Sequence, residues 1–214
     1  MKEEISMEKI TFRNESPEDY KAVENLTREA FWNVYKPGCD EHFVLHNFRG
    51  RSDFVPELDI VMEYNGVLTG HVMFARAVIK LASGESLPIM TFGPISIAPE
   101  YKRKGFGTVL LRHAMEEAKK LGCGALAITG NIGFYGKSGF VVAKTKGVRY
   151  EADLDADYFL IKELVPGFLD KVKNNGGGTF KEPDGYFIDS KDAEEFDKQF
   201  PLKEKLRLPG QIFG

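Results

Sequence analysis

Three basic residues, Lys102, Arg103 and Lys104, stand directly before two glycines, Gly105 and Gly107. An apolar, β-branched run containing Ile95, Ser96 and Ile97 precedes them and stops at Pro99. A strongly amphipathic segment follows at once and runs to residue 121. Strand, basic glycine turn and helix, in that order, form a device for holding phosphate. Glycine lets the backbone approach an anion closely, and the first N–H groups of a helix have no partner inside it. Those groups sit at the positive end of the helix dipole. The competing account of the basic trio is a solvated surface run.

The elements that must position this turn are legible on both sides of it. Residues 10–13 read as a first strand. Ser16, Pro17, Glu18 and Asp19 form a helix start, with a capping side chain, a proline at the first turn and acid at the positive end. Tyr20, Val23, Leu26, Thr27, Ala30 and Phe31 then follow helical spacing, and Pro37-Gly38 ends the segment. Residues 39–49 read as a second short helix. Residues 58–64 and 68–79 make a hairpin about Asn65-Gly66, a pair suited to a tight two-residue turn. A turn at 82–85 leads into a further strand over 87–98. Three antiparallel strands thus feed the basic turn.

Beyond the turn, Leu110, Leu111, Ala114, Met115, Ala118 and Leu121 define one buried helix face, with Glu116 and Lys120 a favourable pair outside. Gly122 stops the helix, and residues 125–129 form a short buried strand. Strand, helix and strand predict a right-handed parallel crossover. The segment GNIGFYGKSGF then allows one or two helical turns at 134–138 and a strand at 140–143. A last sheet strand is expected over 156–165. Further on, 168–173 reads as helical, 174–178 as a flexible joint, 180–188 as extended and 190–200 as a capped helix.

Composition narrows the function classes. The chain of 214 residues suits one domain, or one with an appendage. A net charge of −3 gives no global field for nucleic acid, so the basic cluster is local. Two cysteines, Cys39 and Cys123, make no disulfide framework, and neither a membrane span nor a signal-peptide core is visible. A cytoplasmic protein is expected, without nucleic-acid or membrane partners. His42 and His46 lie four apart with Cys39 one turn before, which allows a zinc site or a helix with incidental histidines. With no fourth ligand nearby, no metal is assigned.

The segment ISIAPEYKRKGFGTVLL resembles the strand, basic glycine turn and helix of the GNAT superfamily of acetyl-CoA-dependent N-acetyltransferases. The segment FYGKSGF is similar to that family's aromatic-tyrosine and glycine-phenylalanine signature. Short glycine turns are common, and it is the two segments together, in this order, that make the likeness specific. Two positions depart from the pattern. Lys102 stands where the family has glutamine or arginine, which keeps charge but loses a planar fork. Asn131 lies only four residues before Tyr135, so the family's upstream asparagine is not carried over.

The resemblance implies an α/β fold with a mixed, mostly antiparallel central sheet flanked by helices. It covers residues 10–165, with the acetyltransferase domain taken as 1–166 and a C-terminal extension, 167–214, packing on it or on a partner subunit. It implies acetyl-CoA as donor and an amine-bearing small molecule or peptide as acceptor. Lys102, Arg103, Lys104, Gly105, Phe106, Gly107 and Thr108 would wrap the pyrophosphate, each charge-assisted hydrogen bond contributing roughly 1.5–3 kcal/mol. The backbone of Ile95, Ser96 and Ile97 would pair with pantetheine and polarise the thioester. The side chains of Ile95 and Ile97 are expected in the core. Tyr135 would protonate the leaving thiolate, the bland account being a packing tyrosine beside Phe134. The general base is open among Glu63, His71, His42 and a water chain. Phe31, Trp32, Tyr35 and Phe43 suggest a partly apolar acceptor groove. A homodimer is allowed, and the alternative functions are a non-catalytic acyl-CoA sensor and, more remotely, a nucleotide-binding protein.

Overall fold

A computed structural model describes residues 7–211. Strand β1 (Ile10–Asn14) leads through a single 3-10 turn, Pro17–Asp19, into helix α1 (Tyr20–Phe31). Ser16 caps that turn as its sequence predicts, and the Asp19 carboxylate accepts from the Ser16 N–H at 2.9 Å. Helix α2 (Glu41–Phe48) is followed by β2 (Ile60–Tyr64), β3 (Val67–Leu81) and β4 (Ser86–Ile97). Then come α3 (Phe106–Lys120), β5 (Ala125–Thr129), α4 (Ile132–Tyr135) and β6 (Val141–Val142). The chain continues with β7 (Val148–Tyr150), β8 (Phe159–Glu163), α5 (Asp170–Asn174), β9 (Gly178–Phe180) and α6 (Ser190–Asp197).

The strands lie in the order β1-β2-β3-β4-β5-β8-β6, with β9 between β3 and β7. Among the described residues β4 pairs parallel with β5, which is the expected crossover through α3, and β7 pairs parallel with β9. The mixed, mostly antiparallel sheet with flanking helices is the architecture expected from the sequence. Asn65 and Gly66 both take positive φ, as the β2–β3 turn requires.

The chain forms two compact units. The first holds residues up to Met73, Pro94–Leu110 and the stretch from Asp184; the second holds Phe74–Gly93 and Leu111–Pro183. In the first, Val23, Leu45, Phe48, Leu58, Val61, Met62 and Val72 are buried. In the second, one continuous core includes Ile79, Ile89, Ala127, Val148, Tyr150, Phe159, Ile161 and Phe180.

Two elements and one side-chain pair differ from the sequence reading. Residues 180–188 are not one extended run, because β9 ends at Phe180 and a 3-10 turn forms at Asp184–Tyr186. Strand β7 was not predicted, since three residues show no period. Lys120 pairs with Glu117 at 2.7 Å rather than with Glu116. From the stretch beyond residue 166, β9 lies in the second unit and α6 in the first.

Candidate active site

The first unit carries the basic glycine turn. After β4, a 3-10 turn at Pro99–Tyr101 is closed by the Tyr101 N–H donating to the Ala98 carbonyl at 2.9 Å. Arg103 has φ +59 and Gly105 has φ +100. A left-handed non-glycine residue costs about 1 kcal/mol or more, so this backbone is held in shape by what surrounds it. The Gly105 carbonyl accepts from Thr108 at 3.0 Å and Val109 at 3.2 Å, which starts α3. The first N–H groups of α3 then face forward unpaired by the helix itself, at its positive end.

Phe106 fixes the turn from below. It is buried, and its ring lies 5.1 Å from both Tyr64 and Tyr101. Its side chain is therefore an anchor, and any role toward an anion belongs to its backbone. Lys104 Nζ lies 5.7 Å over the Tyr101 ring. Lys102 turns the other way: its ammonium donates to the backbone carbonyl of Ala30, in the last turn of α1. Burial, then Arg103 and Lys203, pull its pKa below the ordinary lysine value.

At the end of β4 the side chains alternate in the sense opposite to that expected. Ile95 and Ile97 are half-buried, and Ser96 is fully buried. The Ser96 hydroxyl donates to Thr27 Oγ1 of α1 at 3.0 Å, which explains why a polar residue occupies the inward position. Gly70 of β3 admits Ile97 closely: a Cβ there would stand 2.8 Å from Ile97 Cδ1 and 3.1 Å from the Ser96 carbonyl oxygen. β4 pairs with β5 at Met90↔Leu126 and Thr91↔Ala127, just ahead of Gly93 at φ +124.

The second unit carries Tyr135. Asn131 caps α4 by accepting from the Gly133 N–H at 2.7 Å. The Tyr135 ring is buried and packs edge-on to Phe92, Phe134 and Phe140 at 5.8, 4.8 and 5.6 Å. Gly130 lets it in, since a Cβ there would lie 2.4 Å from Tyr135 Cε2.

The three side chains considered as bases are all engaged. Glu63 pairs with Arg13 at 2.8 Å. His42 is fully buried, its Nδ1 3.6 Å from Cys39 Sγ and its Nε2 3.0 Å from Asp197 Oδ1. His46 turns away to Glu24 at 2.9 Å, so Cys39, His42 and His46 do not converge on one point. His71 is fully buried and contacts Asp59 at 2.6 Å. Burial holds it at a pKa of about 4, and burial pushes nearby Glu15 up to about 7. Arg49 closes this cluster, donating to Glu15 at 2.7 Å and to Glu24 at 2.5 Å. Glu15, Asp59 and His71 bring ligand-type atoms together, yet each is already paired, and the cluster is an internal network.

Sequence reasoning missed Glu182. Its carboxylate accepts from the Thr129 hydroxyl at 3.1 Å and from the Tyr150 hydroxyl at 2.8 Å. Those partners lie 53 and 32 residues away, so no local pattern announces them.

A mixed sheet with this strand order, a basic glycine turn behind β4 and a capped tyrosine helix behind β5 define an acyltransferase-type architecture. The sequence pattern of the acetyltransferase (GNAT) family matches residues 20–140, and the chain belongs to that family. An Escherichia coli (strain K12) protein, the uncharacterized N-acetyltransferase YjhQ, is 33% identical over 87 residues, which are 40% of this chain and 46% of that one. The matched stretch thus spans about half of that relative's length. The fold is shared with the E. coli GNAT N-acetyltransferase YhbS solved with CoA (TM-score 0.68, 19% identity, 83% of this chain and 92% of that one). It is shared too with a Brucella melitensis GNAT acetyltransferase solved with acetyl-CoA (TM-score 0.64, 20% identity, 83% and 98%).

Proposed function

We propose that this chain is an N-acetyltransferase that moves the acetyl group of acetyl-CoA to a primary amine of a small molecule or peptide by direct attack. The observation that carries the reading is the turn before α3. Arg103 and Gly105 take left-handed φ there, and the first N–H groups of the helix are presented together. In this reading the N–H groups of the turn, with Arg103 and Lys104, hold the pyrophosphate. Binding of CoA and acetyl-CoA by the two solved neighbours supports the choice of donor.

The chemistry then follows from the demands of the reaction. The neutral amine attacks the thioester carbonyl carbon, and charge develops on its oxygen. Backbone N–H groups at Ile95, Ser96 and Ile97 are assigned to steady that charge. The tetrahedral species collapses, the C–S bond breaks, and the thiolate takes a proton from the Tyr135 phenol. The new amide nitrogen gives its surplus proton to solvent and Tyr135 is reprotonated, leaving an acetamide and CoA.

Acetyl-CoA added to the protein should raise its Tm, and thiol release should appear with an amine from a broad panel. Tyr135→Phe should lower kcat by about a hundredfold with acetyl-CoA affinity unchanged. A raised Tm with no thiol release from any amine would identify an acyl-CoA-binding module instead.

A further inference from the structure

Helix α1 is tied at two neighbouring points to the segment that joins β4 to the basic turn. Thr27 and Ala30 are both buried and stand about one turn apart on the helix. Thr27 Oγ1 accepts from the Ser96 hydroxyl, near the end of β4, at 3.0 Å. The Ala30 carbonyl accepts from Lys102 Nζ, at the start of the turn. Between these ties the Ala98 N–H donates to the Thr69 carbonyl at 2.9 Å, and the Tyr101 N–H to the Ala98 carbonyl at 2.9 Å. All of these residues belong to the first unit.

Stability alone does not call for the Ser96–Thr27 pair. Both side chains are fully buried. An alanine facing a valine would fill the same space with no polar group to satisfy, and replacing both partners of a buried hydrogen bond is often close to neutral. What the pair adds is direction. A hydrogen bond fixes distance and angle, whereas apolar packing is non-directional. The end of β4 needs such a constraint. Pro94 has no N–H to give the ladder. Gly70 of β3 brings the two backbones close, with the site of a Cβ only 3.1 Å from the Ser96 carbonyl oxygen, but it has no side chain to lock them. Thr27 supplies a fixed point that β3 does not.

An acyl-CoA places a strict demand on this segment. Its phosphates and its thioester belong to one molecule, so the turn that holds the first and the strand end that holds the second must keep a set spacing. A misplacement of about 1 Å at the reacting centre can cost a hundredfold in rate. We infer that Thr27 is a positioning residue: through Ser96 it holds the end of β4 where the thioester carbonyl meets the backbone. The Ala30–Lys102 tie holds the turn from the same helix, so α1 sets the distance between the two halves of the donor site. The inference rests on the acetyl-transfer reading and adds to it a residue that acts on the donor only through another.

The test uses the full chain and follows thiol release at saturating acetyl-CoA, above the uncatalysed rate. The nucleophiles are hydroxylamine, which is small and largely neutral at pH 7, and the fastest amine of the panel. Thr27→Val leaves the Ser96 hydroxyl buried without its acceptor, so Tm should fall. Its kcat should fall at least tenfold, with the Kd for acetyl-CoA within threefold of the wild type, because the phosphates are held at the turn. The double variant Thr27→Val/Ser96→Ala removes both hydroxyls. Its Tm should return toward the wild type while its kcat stays at least tenfold low, and Thr27→Ser, which keeps the acceptor, should hold kcat within threefold. A merely structural pair behaves otherwise, with kcat recovering alongside Tm in the double variant, and that result overturns the inference. A wild-type kcat in Thr27→Val overturns it too, as does a loss of acetyl-CoA affinity as large as the loss in kcat. Should Thr27→Val not fold, the double variant decides by the same two readings. Wild-type protein that acetyl-CoA stabilises but that releases no thiol with hydroxylamine or any amine overturns the acetyl-transfer reading itself, and the inference with it.

Discussion

Lys102 has the charge and position of a phosphate ligand, yet its ammonium bonds to the Ala30 carbonyl. A helix has four unpaired carbonyls at its C-terminal end, and a lysine there also meets the negative end of the dipole. Lys102→Met should therefore lower Tm by a few degrees while changing the Kd for acetyl-CoA less than threefold, as isothermal titration would measure. A tenfold loss of affinity would place the ammonium on the phosphate instead.

The buried Glu15–Asp59–His71 network makes opposed pH demands. His71, held at about 4 against an ordinary 6.5, contributes stability that is full above pH 6.5 and lost as pH falls toward 4. Glu15, raised from 4.5 to about 7, contributes stability that is full below pH 4.5 and lost as pH rises toward 7. Asp59, raised chiefly by burial, acts in the same sense as Glu15. The slopes offset each other in the wild type, whose urea midpoint should stay nearly level from pH 4.5 to 6.5. Glu15→Gln removes one falling slope, so its stability should climb across that window by on the order of 2 kcal/mol. A level profile in the variant would show that His71 is not held neutral.

Among the elements, the turn into α3 depends most on one backbone angle. Gly105 at φ +100 lies where a side chain is strained, so Gly105→Ala should distort the N–H groups it precedes. A loss of at least tenfold in acetyl-CoA affinity is expected by titration, with a drop in stability of about 1 kcal/mol. This turn was fully legible in the sequence, because its signal is local: basic trio, two glycines, apolar period on either side. The capped start of α1 and the Asn65-Gly66 turn were legible for the same reason. The inward Ser96 was not, because its partner Thr27 is 69 residues away. Strands β7 and β9 escaped because three residues carry no period, and their pairing comes from the core around Val148 and Phe180.

On the scale of the whole molecule, the stretch after α6 is tied to the end of α1. The Glu204 carbonyl accepts from Trp32 Nε1 at 2.9 Å and Asn33 Nδ2 at 3.0 Å, while Lys203 pairs with Glu29 at 2.7 Å. The Asn33 side-chain oxygen accepts from the Leu206 N–H at 3.0 Å, and Gln211 donates to the Asn33 carbonyl at 3.0 Å. Removing residues 202–214 should cost about 2 kcal/mol and lower Tm by about 4–8 °C in a thermal melt. An unchanged Tm would show these bonds to be idle.

The place of β9 has a consequence for the order in which the chain can fold. It pairs with β3 through Ile79↔Phe180 and Leu81↔Gly178, and with β7 through Val148↔Gly178 and Tyr150↔Phe180. β9 is the last of the described strands in chain order, yet two earlier ones need it as a neighbour. Until it emerges, the far end of β3 is an open edge, and open edges recruit other chains. Contacts this distant in sequence also slow the search for the native state. A nascent chain halted near residue 175 should therefore be the most aggregation-prone length, and the second core should close only after synthesis has passed Phe180.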